Sequence, residues 1–326
     1  MERSPFDAWA HEVLGRYPVD VRSIEFLRHG DAVTYKVTGR DRGAYLLRLH
    51  IPVTQAMGGH GADPVAVRSE LDWLEALAND TALLLPRPIR NREGQLVTRI
   101  RVSADAADVN TTLLRWVDGE PYRREFETKE TAGEIGAILA TLHNHASSWH
   151  PPAGFRRPRR DAAYFRGVLA ALRPAVDDGR ILRAHYEELA TSVDALAESL
   201  GAASFVLHAD AHKGNMLLED GRIRLIDFSF CAMADPLFDL GIALGDMDPA
   251  LHAWCLAGYR RIRPLPTGFG RRIEGLFVGS LVGTFSFWAA NPKAGDLLAK
   301  HVPRIAERCA APWNRGESFW NLQPTG

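Results

Sequence analysis

The chain has 326 residues, 46% hydrophobic and 24% charged, the proportions of an ordinary soluble globular protein with room for two domains. Its 39 basic and 40 acidic residues leave a formal net charge of -1, so no global field recruits nucleic acid or an anionic membrane. Cys231, Cys255 and Cys309 are odd in number and lack metal-ligand spacing, which suits free thiols in a reducing cytoplasm.

The N-terminus, MERSPFDAWAHEVLG, has no apolar leader pattern and is expected to be an amphipathic helix. Ser4 would be its N-cap and Pro5 its first turn, with Phe6, Trp9, Ala10, Val13 and Leu14 at helical spacing. Residues 21–50 look like strands, because Val33, Tyr35 and Val37 alternate with Thr34, Lys36 and Thr38 and a turn at Gly39–Gly43 precedes AYLLRLH. A helix is expected at about 65–79 and strands near 96–102 and 111–117. The Gly- and Pro-bearing stretch Trp116–Pro121 marks a boundary between a β-rich domain, 1–116, and a mostly helical one, 117–326.

In the second domain Ile135, Ile138, Leu139 and Leu142 form a helical stripe, and further helices fit near 161–173, 184–200, 250–262, 269–290 and 295–309. The uncharged run Gly275–Ala290 is too short to span a bilayer and is expected to be a core helix. Arg156, Arg157, Arg159 and Arg160 are expected to be a solvated loop rather than a nucleic-acid contact. Strand signals in this half are confined to 204–228. The fold class is therefore α+β.

Chemistry concentrates in FVLHADAHKGN, 205–215, where His208, Asp210, His212 and Asn215 follow an apolar run. Downstream, Asp220-Gly221 is a two-residue hairpin signal that sets Leu218 opposite Ile223 and Met216 opposite Leu225. Asn215 would then lie within a residue of Asp227, an oxygen-only pair suited to Mg²⁺. Asp210, from the preceding loop, is a carboxylate able to accept a hydroxyl proton. One charged acceptor beside two metal ligands is a kit for phosphoryl transfer. Two other readings stand beside it: a zinc hydrolase site built from His208, Asp210 and His212, and a structural polar loop.

On the helix RSELDWLEAL, Glu70 falls on the apolar stripe, three residues after Val67 and four before Leu74. A buried carboxylate needs a partner, and Arg48 in the strand AYLLRLH is the candidate. An acid on a helix that reaches a base on a strand is how kinases hold the residue gripping nucleotide phosphates.

Taken together, HADAHKGN (208–215), LIDF (225–228) and ADPLFDLG (234–241) resemble the aminoglycoside phosphotransferase/choline kinase family. HGDAVTYKV (29–37), LLRLH (46–50), RSELDWLEAL (68–77) and LLRWVDGEP (113–121) extend the likeness over residues 20 to 290. The spacing is similar to the bacterial branch of homoserine-kinase-like and stress-response-kinase-like proteins. The resemblance implies a protein-kinase-like bilobal fold, with a nucleotide-binding first lobe and a catalytic second lobe. It implies an ATP- and Mg²⁺-dependent transfer to a hydroxyl of a small molecule, with Asp210 as base and Asn215 and Asp227 as metal ligands.

By the same resemblance Arg48 contacts the α- and β-phosphates with Glu70 orienting it, and Gly30 lies in the phosphate-covering loop. Leu114, Arg115 and Trp116 would offer backbone groups to adenine. His208, Asp239 and His143 would support the site structurally. The sequence departs from the family pattern at Arg48, where many relatives have Lys, and at Ala32, often Asn. It departs again at Ala209, usually Gly, and at Ser229, where close relatives often carry a second acid. A protein Ser/Thr kinase and a nucleotide-binding pseudokinase are the alternative functions, and neither acceptor nor oligomeric state can be read.

Overall fold

The computed structural model of the protein describes residues 4–53, 61–101, 108–291, 294 and 296–322. The chain forms two compact units. The first comprises Met1–Gly119 together with His150–Arg157 and Ile226–Ser229, and the second comprises the remainder, beginning at Glu120. The backbone thus leaves the first unit after Gly119 and returns to it twice.

The first unit is an antiparallel sheet with two helices. Helix α1 (Asp7–Leu14) precedes β1 (Val21–His29), β2 (Val33–Gly39) and β3 (Ala44–Leu49), then α2 (Pro64–Asp80), β4 (Pro88–Ile89), β5 (Thr98–Ile100) and β6 (Val109–Arg115). The strand order is β1-β2-β3-β6-β4, with β5 paired to β6. Val33, Tyr35 and Val37 are fully buried, as their period-two spacing requires, and join Leu47, Leu49, Leu113 and the apolar face of α1 in one core. Helix α1 starts later than Pro5, because Ser4 folds a turn ahead of it: its carbonyl accepts from Asp7 N and its hydroxyl from Phe6 N. Helix α2 is capped by Asp63, whose side chain accepts from Val65 N at 3.0 Å, and Pro64 supplies the first helical φ.

In the second unit, β7 (Glu120–Pro121), β9 (Met216–Glu219) and β10 (Arg222–Leu225) form one small sheet. The hairpin register pairs Leu218 with Ile223 and Met216 with Leu225, as Asp220-Gly221 predicts. Both turn residues have positive φ, 50° and 73°, the signature of a two-residue turn matched to strand twist. Strand β8 (Phe205–Leu207) pairs with β11 (Ala232–Ala234), which lies outside the 204–228 window because three residues carry too little alternation to be recognised.

Helix α3 (Lys129–Ser148) begins at a reciprocal Thr128–Thr131 capping box and packs on α8 (His252–Arg260). Their backbones touch: a Cβ on Gly136 would stand 1.9 Å from Cys255 O, and one on Gly258 1.9 Å from Gly133 O. The helix expected at 161–173 is divided into α4 (Ala162–Ala170) and α5 (Arg173–Asp177), where Pro174 interrupts the backbone bonding pattern. Helix α6 (Arg183–Ser199), α7 (Leu237–Gly245) and α9 (Phe269–Ala289) follow. Helix α9 contains the uncharged run and buries Ile273, Leu276, Val278, Val282 and Phe285. Helix α10 (Leu297–Ile305) passes through a π turn, Ala306–Ala310, into α11 (Ala311–Asn314). Among the described residues no helix is long and apolar enough to cross a membrane.

Candidate active site

In the first unit the site is built around Arg48 on β3. Period two turns its side chain to the same face as Leu46, and α2 covers it. The guanidinium is 6% exposed and Glu70 of α2 is 2% exposed, with Arg48 Nη2 and Glu70 Oε1 2.8 Å apart. Neither atom makes a well-aligned hydrogen bond, so the contact is an ion pair with donor capacity left over. Arg48 Nε donates to Thr112 Oγ1 at 3.1 Å. Burial alone would lower the guanidinium pKa, but the carboxylates of Glu70 and Asp227 outweigh it and hold Arg48 above its usual value. His50, two residues on, is pushed well below the usual imidazole range, first by burial and then by the charges of Arg48 and Arg157.

Asp227 belongs to this unit and adopts φ 61°, in the left-handed region that a non-glycine residue occupies at a cost. Ser229 fixes its carboxylate: Ser229 Oγ donates to Asp227 Oδ1 at 2.7 Å, and Arg28 Nη2 stands 3.4 Å from Oδ2. The Ser229 hydroxyl thus orients the Asp227 carboxylate. Phe228 is anchored edge-on against Trp73 of α2, with ring centroids 5.6 Å apart. Arg157, expected in a solvated loop, is instead 5% exposed and donates to Ala66 O and Ser229 O. It is a tie between α2 and the 226–229 segment, and only the neighbours it meets in space reveal that.

Gly30 sits in the three-residue connection between β1 and β2, with no described residue within 4 Å of where a Cβ would stand, while Ala32 is buried. Asp31 between them has a raised pKa, chiefly from burial and then from the charge of Asp227. At the end of β6 the N–H groups of Arg115 and Trp116 donate to Arg87 O and Ala44 O. Those two donors are therefore used within the unit.

The second unit holds the loop after β8. Asp239, wholly buried on α7, accepts from His208 N at 3.1 Å and Ala209 N at 2.7 Å, and His143 Nε2 lies 3.2 Å from Oδ2, the oxygen that also accepts from His208 N. His143 Nδ1 meets Tyr259 OH at 2.9 Å, which fixes the imidazole in turn. Ala209 adopts φ 60°, in the left-handed region that favours glycine. His208 Nδ1 accepts from Asp210 N. Asn215 Nδ2 then donates to Asp210 O at 2.9 Å and to Asp210 Oδ2 at 2.8 Å, which leaves its Oδ1 as the acceptor. His212 Nδ1 accepts from Gly214 N, so its Nε2 carries the proton, 3.5 Å from Asp210 Oδ2. His208, Asp210 and His212 do not form a three-ligand set, and among the described residues no group of three His, Cys, Asp or Glu is placed to hold a metal.

A profile of the phosphotransferase enzyme family matches residues 23–265, most of the chain. The chain belongs to this family. Among curated relatives of this phosphotransferase-family chain is the homoserine kinase of Neisseria meningitidis serogroup B, 29% identical over 193 residues. That match spans 55% of this chain and 57% of the relative's length. Solved structures of similar fold include a microcompartment-associated aminopropanol kinase, with TM-score 0.74, 23% identity, and coverage of 94% of this chain and 98% of that one. Another is an amicoumacin kinase in complex with AMP-PNP, Ca²⁺ and Ami, with TM-score 0.75, 16% identity, and coverage of 97% and 96%. These likenesses establish a kinase-like fold with a β-rich first unit and a helical second one.

Several residues of this phosphotransferase-family chain that line these two groups escape a reading of sequence alone. Asp31 and Arg28 face Asp227, and Thr112 holds Arg48. Lys213 donates from its Nζ to Glu127 Oε1 at 2.5 Å and from its backbone N–H to Asp246 Oδ2 at 2.8 Å. The one available signal was proximity in sequence: Asp31 adjoins Gly30, and Lys213 lies two residues before Asn215.

Proposed function

We propose that the protein is an ATP- and Mg²⁺-dependent kinase that phosphorylates a hydroxyl of a small molecule bearing an amine. The observation that carries this is the Asp210–Asn215 hydrogen bond at 2.8 Å, on a loop whose backbone is clamped by the buried Asp239. Such a carboxylate is held ready before any acceptor arrives, as a general base must be.

In this reading Asp210 would accept the hydroxyl proton as the oxygen bonds to the γ-phosphorus and the bond to the β–γ bridging oxygen breaks, with ADP as the leaving group. Asn215 Oδ1 and the Asp227 carboxylate would hold Mg²⁺: two hard oxygens suit an ion that keeps its other positions for water and phosphate. When bound, Mg-ATP supplies the transferable phosphoryl group and neutralises its charge. Arg48 would contact the α- and β-phosphates with Glu70 setting its orientation, and Gly30 would let the β1–β2 connection come close to them. Leu114, Arg115 and Trp116 would offer backbone groups to adenine. His208 and Asp239 support the loop.

The amine is suggested by the names of the homoserine and aminopropanol kinases, and by acids such as Asp246 near the loop. A pocket of about 580 Å³ in the second unit, lined in part by Lys213 and Asp246, suits a small acceptor better than a protein side chain. Three free cysteines and the absence of a crossing helix among the described residues favour the cytoplasm as its location.

The test is a coupled ATP assay against a panel of amino alcohols. Asp210→Asn is expected to lower kcat by roughly 100-fold or more while nucleotide binding, read by thermal shift with Mg-ATP, persists. Turnover by Asp210→Asn at the wild-type rate would falsify the assignment of the base.

A further inference from the structure

The pocket of about 580 Å³ carries an imbalance of charge that the reaction does not use. Its cations are Arg124, Lys213, Arg304 and Arg308, and its acids Asp246 and Asp248. Arg124 is answered by Asp248, with Nη2 3.1 Å from Oδ2. Lys213 is answered by Glu127 at 2.5 Å and by Asp246 at 3.9 Å. Arg304 and Arg308 are exposed and have no ion pair or hydrogen bond among the described residues.

Two like charges four residues apart on a helix repel, so local stability gives no reason for the pair. They flank the start of the π turn Ala306–Ala310, which distorts the helix where it meets the pocket; such turns recur at functional sites. The aromatic lining is held by a different group. Glu274, 1% exposed on α9, accepts from Ser318 Oγ at 2.6 Å and Trp320 N at 2.7 Å. That grip seats Phe319 and Trp320 against Phe277, with the Trp320 and Phe277 rings 4.6 Å apart. A buried carboxylate is thus committed to holding the Phe319–Trp320 lining of the pocket in place.

We propose that Arg304 and Arg308 form an anion subsite for the acceptor, which is therefore a hydroxy amine that also bears a carboxylate. Asp246, 44% exposed and contacted only through Lys213 among the described residues, is the facing acid for its ammonium group. Guanidinium suits this task because its fork of N–H donors matches a carboxylate. The inference rests on the kinase reading above and sharpens its acceptor: it favours a hydroxy amino acid over a simple amino alcohol.

The experiment compares homoserine with 3-aminopropan-1-ol, which is homoserine without its carboxylate. It uses wild-type protein and the Arg304→Gln/Arg308→Gln double variant, both of whose sites are exposed. Wild type is expected to favour homoserine in kcat/KM. The double variant is expected to lose roughly 10-fold or more with homoserine, mainly in KM, and to change less than about 2-fold with the amino alcohol. The KM for ATP should not move, and the thermal shift produced by homoserine alone should disappear. Equal losses with both acceptors, or a raised KM for ATP that assigns the arginines to nucleotide phosphate, overturn the subsite. So does a wild-type protein that phosphorylates the amino alcohol and not homoserine, or one that neither compound stabilises nor reacts with. In those cases ATP turnover that depends on Asp210 leaves the kinase reading standing, and its absence removes that reading separately.

Discussion

Replacing Glu70 by glutamine isolates what the Arg48–Glu70 pair does for the first unit. Both side chains are almost fully buried and their charged atoms are 2.8 Å apart. Removing one member of such a pair leaves the other charge desolvated, at a cost of about 3–5 kcal/mol. Here Arg48 retains Thr112 Oγ1 at 3.1 Å and the attraction of Asp227 and Asp31, which places the expected loss at the lower end, about 3 kcal/mol. The double variant Arg48→Met/Glu70→Leu removes both charges and fills the space with apolar atoms. Its stability is expected to return to within about 1 kcal/mol of wild type while its affinity for ATP is lost. Urea unfolding reads the outcome as a lower midpoint at unchanged slope for the single variant and a recovered midpoint for the double. A single variant that loses less than about 1 kcal/mol, or a double variant no more stable than the single, refutes the reasoning that a buried charge, and not merely packing, joins β3 to α2.

Ala209→Gly should raise stability by about 0.5–1 kcal/mol, since φ 60° favours glycine, and a lower thermal midpoint would contradict the strain argument. Gly136→Ala should cost about 3 kcal/mol, because its Cβ would lie 1.9 Å from a backbone oxygen that no rotamer change can relieve. Gly167→Ala, in helix α4 with open space around it, should instead gain about 1 kcal/mol; the same calorimetric scan decides both. His50 and His252 have imidazole pKa values held below 6.5, mainly by burial, so the unfolded chain takes up protons first as the pH falls. Their contribution to stability is complete above about pH 6.5 and is lost as the pH falls below it. His50→Gln should shallow that acid slope in unfolding experiments between pH 7.5 and 5, and an unchanged slope would count against the assignment.

Much of the fold follows from local pattern. The period of Val33, Tyr35 and Val37 sets the sheet face, and the Asp220-Gly221 turn sets the register of β9 and β10, because a two-residue turn leaves one way to pair. Glu70 could be singled out because an acid on an apolar stripe contradicts its own surroundings. Helix breaks were less legible: Pro174 divides one expected helix, and Ser4 forms a turn instead of a cap.

What the sequence by itself determined is the order of elements, the phosphotransferase signature and the identity of the groups able to do chemistry. Tertiary structure alone decided that Asp239 clamps the amides of His208 and Ala209 some thirty residues away, that Arg157 is buried, and that Arg304 and Arg308 line a pocket with no ion-pair partner among the described residues. The reason is physical. Periodicity is carried by neighbours along the chain, whereas burial and charge compensation depend on groups that only folding brings near.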